Sequence, residues 1–279
     1  MRAVWPPAAK VRPYDRDIRI HAAMVPSVEA AGIHIGCGSK VAGLEGRTSF
    51  NVLMDFDSMT PMAIVEDTYL HSVRSGVPTG VAVRHLARED SKVLAMVGCG
   101  KISRVQLAVT LGQRDIQEVR VFSRRRENRE AFAAEHEERF GVRVVACEDT
   151  DSLVDGADIV TCATNSYNDP VFDGRLLKEG ALVVAVTPGE VDATTALRGR
   201  CVVTSKNRVA TDYTPQEPLG SLINSGQVSL DDVPSLGEVL CGDAPGRISD
   251  EVIFFYSPGI GFLDVIVGKH VYDLHEAAS

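Results

Sequence analysis

Two hydrophobic patterns follow one another along the chain. Before residue 90, apolar residues alternate with polar ones in short stretches, which is typical of strands with one buried face. The strands predicted there are 17–23, 32–36, 49–56 and 62–66, with a glycine loop at 36–46 and a turn at 57–61. Residues 1–16 are predicted to be irregular. A helical pattern covers 68–87, with an interruption expected near Gly76-Val77-Pro78.

From residue 91, continuous apolar runs alternate with segments of helical periodicity. The predicted strands are 93–98, 118–123, 142–147, 157–162, 181–186 and 200–204, and the predicted helices are 102–112, 125–140, 150–155 and 191–198. Such alternation indicates a parallel sheet with helices on both faces, a Rossmann-type doubly wound α/β domain. The regularity fades after about residue 206, where a helix within 231–242, a strand at 251–256 and a helix at 264–277 are predicted.

The stretch Val93–Ser103, VLAMVGCGKIS, has the form of a dinucleotide-binding turn. Gly98 would make the tight turn, and Gly100 would let the backbone approach a pyrophosphate. The helix that begins at Lys101 and Ile102 would direct its unpaired N–H groups at that anion. Because an ordinary β-turn-α connection has the same pattern, the turn alone does not establish a cofactor.

Further candidate cofactor residues follow three other predicted strands. Ser123, Arg124 and Arg125 stand where an NAD-preferring site usually has an acidic residue, and arginines there favour a 2′-phosphate and hence NADP(H). A solvated start of a helix is the alternative. Two further pairs are placed to line a nicotinamide pocket, or else belong to ordinary loops: Ala163 with Thr164, and Val186 with Thr187.

Composition excludes several classes of protein. A net charge of -9 at pH 7 argues against a nucleic-acid partner, and there is no run of 18 apolar residues that would predict a membrane span. The six cysteines are scattered without a C-x-x-C pair, which indicates reduced thiols in a cytoplasmic protein. The histidines lack a metal-ligand spacing, so no metal is predicted.

Several segments in order resemble the ornithine cyclodeaminase/mu-crystallin family over roughly residues 17–279. The segments are NVLMDFDSMTPMAIVED, LHSVRSGVPTGVAVRHLARED, VGCGKISRVQL, VFSRRRENREAFA, GADIVTCATNS, LKEGALVVAV, LGEVLCGDAPGR and SPGIGFLDVIVGKHVY. Within the family, KVRPYDRDIRIHAAMVPS, AGIHIG and LDVIVGKHVY look closest to the N-(2-amino-2-carboxyethyl)-glutamate dehydrogenase branch.

The resemblance implies roles for individual residues. The substrate-carboxylate arginine of the family falls on Arg74, and a second arginine falls on Arg19 or on Arg12. The catalytic aspartate falls on Asp264, which would deprotonate an amine or activate water. A surface arginine and a helix N-cap are the alternatives for Arg74 and Asp264. His34 stands where the family has a lysine that supports the chemistry.

Taken together, the sequence predicts two domains and an enzyme. Residues 1–91 with 253–279 would form a smaller β-rich α+β domain for substrate binding and dimerisation, and residues 92–252 the dinucleotide-binding domain. The resemblance implies an NAD(P)-dependent oxidoreductase of an amino or imino acid that acts as a homodimer. The alternatives are a cyclodeaminase of ornithine or lysine, and a cofactor-binding protein in which catalysis is lost or altered.

Overall fold

The computed structural model describes residues 3–6, 9–11, 15–41, 43, 46–166, 169–211 and 216–279. These residues divide into two compact units. The first holds the residues up to Arg74 together with Gly259–Ser279, and the second holds Ser75–Ala210 and the stretch from 216 to 258. The predicted combination of a doubly wound parallel sheet with a smaller β-rich part is confirmed.

The first unit is an antiparallel sheet with one helix on a single face. Its five strands lie in the order β1-β2-β3-β4-β5. They are β1 (Ala9–Val11), β2 (Arg16–Val25), β3 (Ala30–Ser39), β4 (Gly46–Asp55) and β5 (Pro61–Glu66), and the helix, the last in the chain, is α9 (Gly261–Ala278). Helix α9 contacts β2, β3 and β4. Ala23, Val25, Leu53 and Val265 form the buried core between them.

Two sequence predictions for this unit are wrong. Residues 9–11 were expected to be irregular, yet they form β1, which pairs with β2. Gly36 and Gly38 were assigned to a loop but lie inside β3, opposite Arg19 and Asp17. Because a glycine has no side chain, these two positions leave room for the Asp17 carboxylate and the His34 ring beside them.

The second unit is a parallel sheet of seven strands in the order β11-β12-β10-β9-β6-β7-β8. The strands are β6 (Val93–Val97), β7 (Glu118–Phe122), β8 (Arg143–Ala146), β9 (Ile159–Cys162), β10 (Leu182–Ala185), β11 (Gly199–Val203) and β12 (Val252–Tyr256). Both faces carry hydrophobic clusters of buried residues. The order of the strands reverses between β6 and β9, which are parallel to each other, and such a switch point is where doubly wound sheets bind ligands.

The described part of the chain forms eight further α-helices. They are α1 (Leu70–Leu86), α2 (Lys101–Leu111), α3 (Arg126–Phe140), α4 (Thr150–Val154), α5 (Ala193–Leu197), α6 (Lys206–Thr211), α7 (Leu219–Asn224) and α8 (Leu236–Cys241). None of the helices described here has both the length and the apolar character needed to cross a bilayer. The sequence missed α6 and α7, which are only six residues each.

Helix α1 runs through Pro78 without the predicted break. The glycines around it are packing positions, not breakers. A Cβ at Gly76 would come within 2.6 Å of Val105, and one at Gly80 within 2.8 Å of Val109, both on α2. The glycines that predicted an interruption instead let α1 and α2 come into close contact. This packing stabilises α1 despite its glycines and Pro78.

The predicted domain boundaries also shift. Strand β12 pairs with both β10 and β11, so residues 253–258 belong with the parallel sheet and not with the β-rich unit. The other boundary falls within α1, between Arg74 and Ser75, and not at residue 91. The boundary near residue 253 depends on hydrogen bonds between strands that are distant in sequence. Hydrophobic periodicity contains no information about which strands pair.

Candidate functional site

The turn after β6 has the geometry that the glycine pattern predicts. Gly98 has a φ of +114°, a conformation that side chains other than glycine rarely adopt. Its N–H donates to the carbonyl of Phe122 at 2.9 Å. A Cβ at this position would lie 2.5 Å from the carbonyl oxygen of Ala163. Gly98 therefore holds the ends of β6, β7 and β9 close together.

Gly100 leaves an open space in front of a helix. It is the N-cap of α2, with extended backbone and no side-chain cap, and Lys101 and Ile102 are the first helical residues. Apart from Gly100 itself and its neighbours along the chain, no heavy atom of the described residues lies within 4 Å of an ideal Cβ at this position. Uncapped N–H groups facing an open space fit a pyrophosphate group, so the residues present fit a dinucleotide.

The residues that follow β7 are basic, and they lie at the same carboxyl end of the sheet as the glycine turn. Ser123, Arg124 and Arg125 lie between β7 and α3, and both arginines are exposed. Arg129 is a further basic residue here that was not among the predicted ones. Its Nη1 donates to the carbonyl of Ser123 at 2.9 Å, and its guanidinium lies over the Phe122 ring. Arg126 is paired with Glu130 at 2.6 Å.

The loops after β9 and β10 are joined by one buried carboxylate. Ala163 and Thr164 follow β9, and Val186 and Thr187 follow β10. Glu190, which the sequence analysis also missed, accepts hydrogen bonds from Thr164, Val186 and Thr187. The predicted cofactor residues thus gather at the carboxyl ends of β7, β6, β9 and β10, four neighbouring strands.

Substitutions at the two glycines test this interpretation. We expect Gly100→Ala to fold normally and to weaken binding of the dinucleotide about tenfold or more, because the methyl group occupies the open space. Gly98→Ala should lower the melting temperature as well, because its Cβ meets Ala163. Thermal unfolding together with fluorescence titration of NADH and NADPH measures both effects. A Gly100→Ala protein that binds as tightly as wild type would contradict a pyrophosphate at this turn.

The first unit holds a buried cluster of ionisable side chains, here called the Arg74 cluster. Its members come from β2, β3, β4, the end of β5, α1 and α9, and they are His21, His34, Asn51, Asp67, His71, Arg74 and Asp264. Arg74 Nε donates to Asp264 Oδ1 at 2.6 Å, and both residues are at most 4% exposed. The guanidinium lies against the backbone of Gly259, where any Cβ would collide with it. Arg74 is therefore held rigidly and is not a surface arginine.

His71 lies one helical turn before Arg74 and is its second partner. Arg74 Nη2 donates to His71 Nδ1 at 3.0 Å. The positive charge of Arg74, followed by burial, lowers the pKa of His71 from 6.5 to about 3. His71 is thus neutral near pH 7 and accepts a hydrogen bond from the guanidinium of Arg74. Because it carries no positive charge, it does not replace Arg74 as the cation that pairs with Asp264.

His34 and Asp67 form a buried pair beside Asp264. His34 Nδ1 lies 2.7 Å from Asp67 Oδ2, which also accepts from Asn51 Nδ2 at 3.1 Å. Burial favours a higher pKa for Asp67, but the hydrogen bonds from His34 and Ser49 outweigh it and lower that pKa. An ionised Asp67 holds the Nδ1–H tautomer of His34 and leaves Nε2 available for proton transfer.

Asp264 is ionised at the centre of the cluster. Its Oδ1 lies 3.8 Å from His34 Nδ1, and its Oδ2 lies 3.6 Å from His21 Nδ1. Burial acts to raise the pKa of Asp264, but the positive charge of Arg74, followed by the neighbouring His21, outweighs burial and lowers the pKa well below its ordinary value. The alternative of a helix N-cap is wrong, because Ile260 occupies that position and α9 begins before Asp264.

The other two arginines that the sequence predicts at the substrate are Arg19 and Arg12. Arg19 lies on the same strand face as His21, two residues before it, and its Nε donates to Asp17 at 2.8 Å. Arg12 lies outside the described residues. The structure therefore brings Arg74, Asp264 and His34 into contact and leaves substrate roles for Arg19 and Arg12 as predictions.

Three members of the cluster are spaced as metal ligands can be. One ligand atom each from His34, His71 and Asp264 lie within 4.8 Å of one another. Arg74, however, already bonds both Asp264 Oδ1 and His71 Nδ1, and its charge opposes a cation at the same place. These contacts favour an anionic substrate over a metal ion, and the absence of a metal remains a prediction.

Sequence reasoning missed five members or neighbours of the cluster, namely His21, Asn51, Asp67, His71 and Gly259. One of them carried a usable signal, since His71 precedes Arg74 by three residues on a predicted helix and so shares its face. His21 and Asn51 lie directly opposite His34 on the neighbouring strands, but only the strand register reveals it. That register is a tertiary property.

Comparison with known proteins places the chain in a family. The family model for the ornithine cyclodeaminase/mu-crystallin family matches residues 7–279. A Delta(1)-pyrroline-2-carboxylate reductase of Bacillus cereus is 30% identical over 90% of this chain and 81% of its own length.

Two solved structures share this fold over nearly the whole chain. The Delta(1)-pyrroline-2-carboxylate reductase of Thermococcus litoralis, in complex with NADH and L-proline, is 25% identical, with a TM-score of 0.89 over 98% of this chain and 87% of that one. An archaeal alanine dehydrogenase dimer with bound NAD is 26% identical, with a TM-score of 0.87 over 98% of this chain and 85% of that one. The sequence resemblance is confirmed, and the chain belongs to the ornithine cyclodeaminase/mu-crystallin family.

Proposed function

We propose that this protein is an NAD(P)-dependent oxidoreductase that reduces a carbon–nitrogen double bond beside a carboxylate, or oxidises the corresponding amino acid. The observation that carries the proposal is the buried Arg74–Asp264 pair with His34 beside it. The glycine turn supports the cofactor, and relatives that are named reductases and dehydrogenases of imino and amino acids support the reaction. When bound, the nicotinamide supplies or accepts the hydride at the substrate Cα.

Arg74 is proposed to bind the substrate carboxylate. A guanidinium offers several N–H donors in one plane, and two of those on Arg74 bond Asp264 and His71. The remaining donors suit a carboxylate. Gly259 and His71 hold the plane of the group in place, so the substrate is oriented when it binds.

His34 and Asp264 are proposed to divide the proton chemistry. Reduction of an imine adds a proton to nitrogen as well as a hydride to carbon. His34, whose Nδ1 is held by Asp67, is placed to carry that proton on Nε2. Asp264 remains ionised and stabilises the positive charge of a protonated imine. In the oxidation direction the same step runs backwards, so His34 Nε2 would accept the proton from the substrate nitrogen while Asp264 stays ionised beside it.

The cofactor is proposed to be NADP(H) in preference to NAD(H). Ser123 and the exposed Arg124 and Arg125 follow β7 without an acidic residue, and two arginines suit the 2′-phosphate. Titration of NADPH and NADH by fluorescence decides the preference. Tighter binding of NADH would overturn this part of the proposal.

A turnover assay separates the reaction from its alternatives. Purified protein is mixed with a cyclic imino acid such as pyrroline-2-carboxylate, with N-substituted amino acids, or with ornithine, each with NAD(P)H or NAD(P)+ at matched concentrations. We expect stoichiometric oxidation of NAD(P)H with an imino acid, or its formation with an amino acid. Ammonia from ornithine without net cofactor change would instead establish a cyclodeaminase. Cofactor binding without any turnover would establish a binding protein.

The protein is also proposed to form a homodimer through the sheet of the first unit. The face opposite α9 is apolar on neighbouring strands, with Ala22, Ile33, Val52 and Ile64 in one row across β2 to β5. Ile64 is 74% exposed, and Ile18 and Met24 on β2 are also exposed. A contiguous apolar face on a sheet is typical of a surface that a partner covers.

A charged residue on this face should weaken the dimer. We expect wild type to have the mass of a dimer by size-exclusion chromatography with light scattering, and Ile64→Glu to shift toward the monomer. The matched control is Ile248→Glu, which changes an isoleucine that is 68% exposed in the second unit. Equal masses for the two variants would argue against this sheet as the interface.

A further inference from the structure

Glu190 is a buried carboxylate that the proposed reaction does not use. It follows β10 in the second unit, and its side chain is fully buried. Its Oε1 accepts from the Thr164 backbone N–H at 2.5 Å and from Thr164 Oγ1 at 2.8 Å. Its Oε2 accepts from the N–H groups of Val186 and Thr187 at 3.0 and 2.9 Å. One side chain therefore fastens the loops after β9 and β10 to each other.

The hydrogen bonds indicate the ionised form of this carboxyl group. Three of the four donors are backbone N–H groups, which can only donate, so neither carboxyl oxygen is required to carry a proton. Burial raises the pKa of Glu190 above its ordinary value, and the hydrogen bonds from Thr164, Thr187 and Val186, which act in the opposite direction, offset only part of that rise. These N–H and O–H dipoles hold a buried negative charge directly under the two loops, at the carboxyl ends of β9 and β10 where a ligand would bind.

Strand order indicates which half of a dinucleotide these loops meet. In a doubly wound sheet, the glycine turn after the first strand and the end of the second strand serve one half of the cofactor, including the ribose that carries the 2′ group. Those positions are the ends of β6 and β7 here, beyond which lies β8. The loops after β9 and β10 lie on the other side of the switch point and are left for the nicotinamide half.

We propose that Glu190 is a positioning residue of the cofactor site, and that its buried negative charge favours the oxidised, positively charged nicotinamide over the reduced, neutral one. This inference rests on the proposed function, since it requires a bound nicotinamide cofactor. Its chemical consequence is direct. Stabilising the oxidised ring makes the bound reduced cofactor a stronger hydride donor, which suits the reduction of an imine.

Glu190→Gln tests the charge with little change in shape. Dissociation constants of wild type and variant are measured for the oxidised and reduced forms of whichever cofactor, NAD(H) or NADP(H), wild type binds more tightly. We expect the constant for the oxidised form to rise about fivefold or more relative to that for the reduced form. An unchanged ratio of the two constants would overturn the inference. Failure of wild type to bind either form would instead overturn the proposed function.

Three further variants separate the effect of the Glu190 charge from that of the local structure. Asp192→Asn changes a carboxylate of the same segment, which accepts hydrogen bonds from Thr195 and Gly174 and not from the three residues that donate to Glu190. We expect it to lower the melting temperature while leaving the ratio of the two constants unchanged. Thr164→Val removes one donor to Glu190 but keeps the charge, so it should weaken both forms equally. If Glu190→Gln does not fold, Glu190→Asp must retain the wild-type ratio, and a ratio that shifts in this variant contradicts the proposal.

Discussion

Arg74→Ala should destabilise the protein by about 3–5 kcal/mol, because it leaves the Asp264 carboxylate buried without its main cation. It should also raise the KM for the true substrate by a factor that corresponds to about 2–4 kcal/mol, the value of a charged hydrogen-bonded pair. The pKa of His71 should rise toward its ordinary value, because the charge of Arg74 is the largest cause of its depression. Thermal unfolding and steady-state kinetics measure the first two effects.

Two variants of the same helix are controls for Arg74→Ala. Arg84→Ala removes an exposed arginine from α1 and should change neither KM nor stability appreciably. Arg74→Lys retains the charge but cannot reach Asp264 and His71 at once, so it should restore stability more than it restores KM. An unchanged KM in Arg74→Ala for a substrate that wild type turns over would remove Arg74 from the substrate site.

Asp264→Asn should lower kcat by about 10²- to 10⁴-fold while changing KM less, because the amide has the shape of the carboxylate without its charge. The matched control is Asp273→Asn, on the exposed face of the same helix α9, where the carboxylate pairs with Lys269 at 2.5 Å. A kcat for Asp264→Asn within a factor of a few of wild type would contradict a catalytic role for Asp264.

The pH dependence of the same reaction distinguishes Asp264 from the histidines. Because its folded-state pKa is lowered, Asp264 stays ionised at every pH above its ordinary value of about 4. The stability that its charge contributes is therefore complete above that pH and is lost only as the pH falls further. An acid limb of kcat near neutrality would belong to another group, and its disappearance in His34→Gln would assign it to His34.

The parallel sheet shows how much local sequence can predict. All its strands were expected close to their observed positions, because a strand buried on both faces must be an apolar run and each crossover needs a helix. The same signal does not contain strand order. β12 comes last in sequence yet inserts between β10 and β11, and the domain boundary moved with it.

Glycine was the main source of error in the first unit and in α1. Gly36 and Gly38 resemble a loop in the sequence but lie within β3. Gly76 resembles a break in a helix but, together with Gly80, lets α1 approach α2. A glycine that permits a turn and a glycine that permits close packing are the same letter in the sequence. Only the neighbouring atoms distinguish the two uses.

By itself, the sequence determined the two kinds of sheet, the glycine turn and its basic neighbours, and the family, because these depend on local periodicity and on motifs that are contiguous along the chain. Only the tertiary structure decided what surrounds the chemistry. Arg74 and Asp264 are 190 residues apart and meet at 2.6 Å. Asp67 and Asn51 orient His34, and Glu190 joins two loops, through contacts that depend on strand register and strand order. Burial and neighbouring charge set the pKa of a side chain, and both are properties of the folded protein that no local pattern contains.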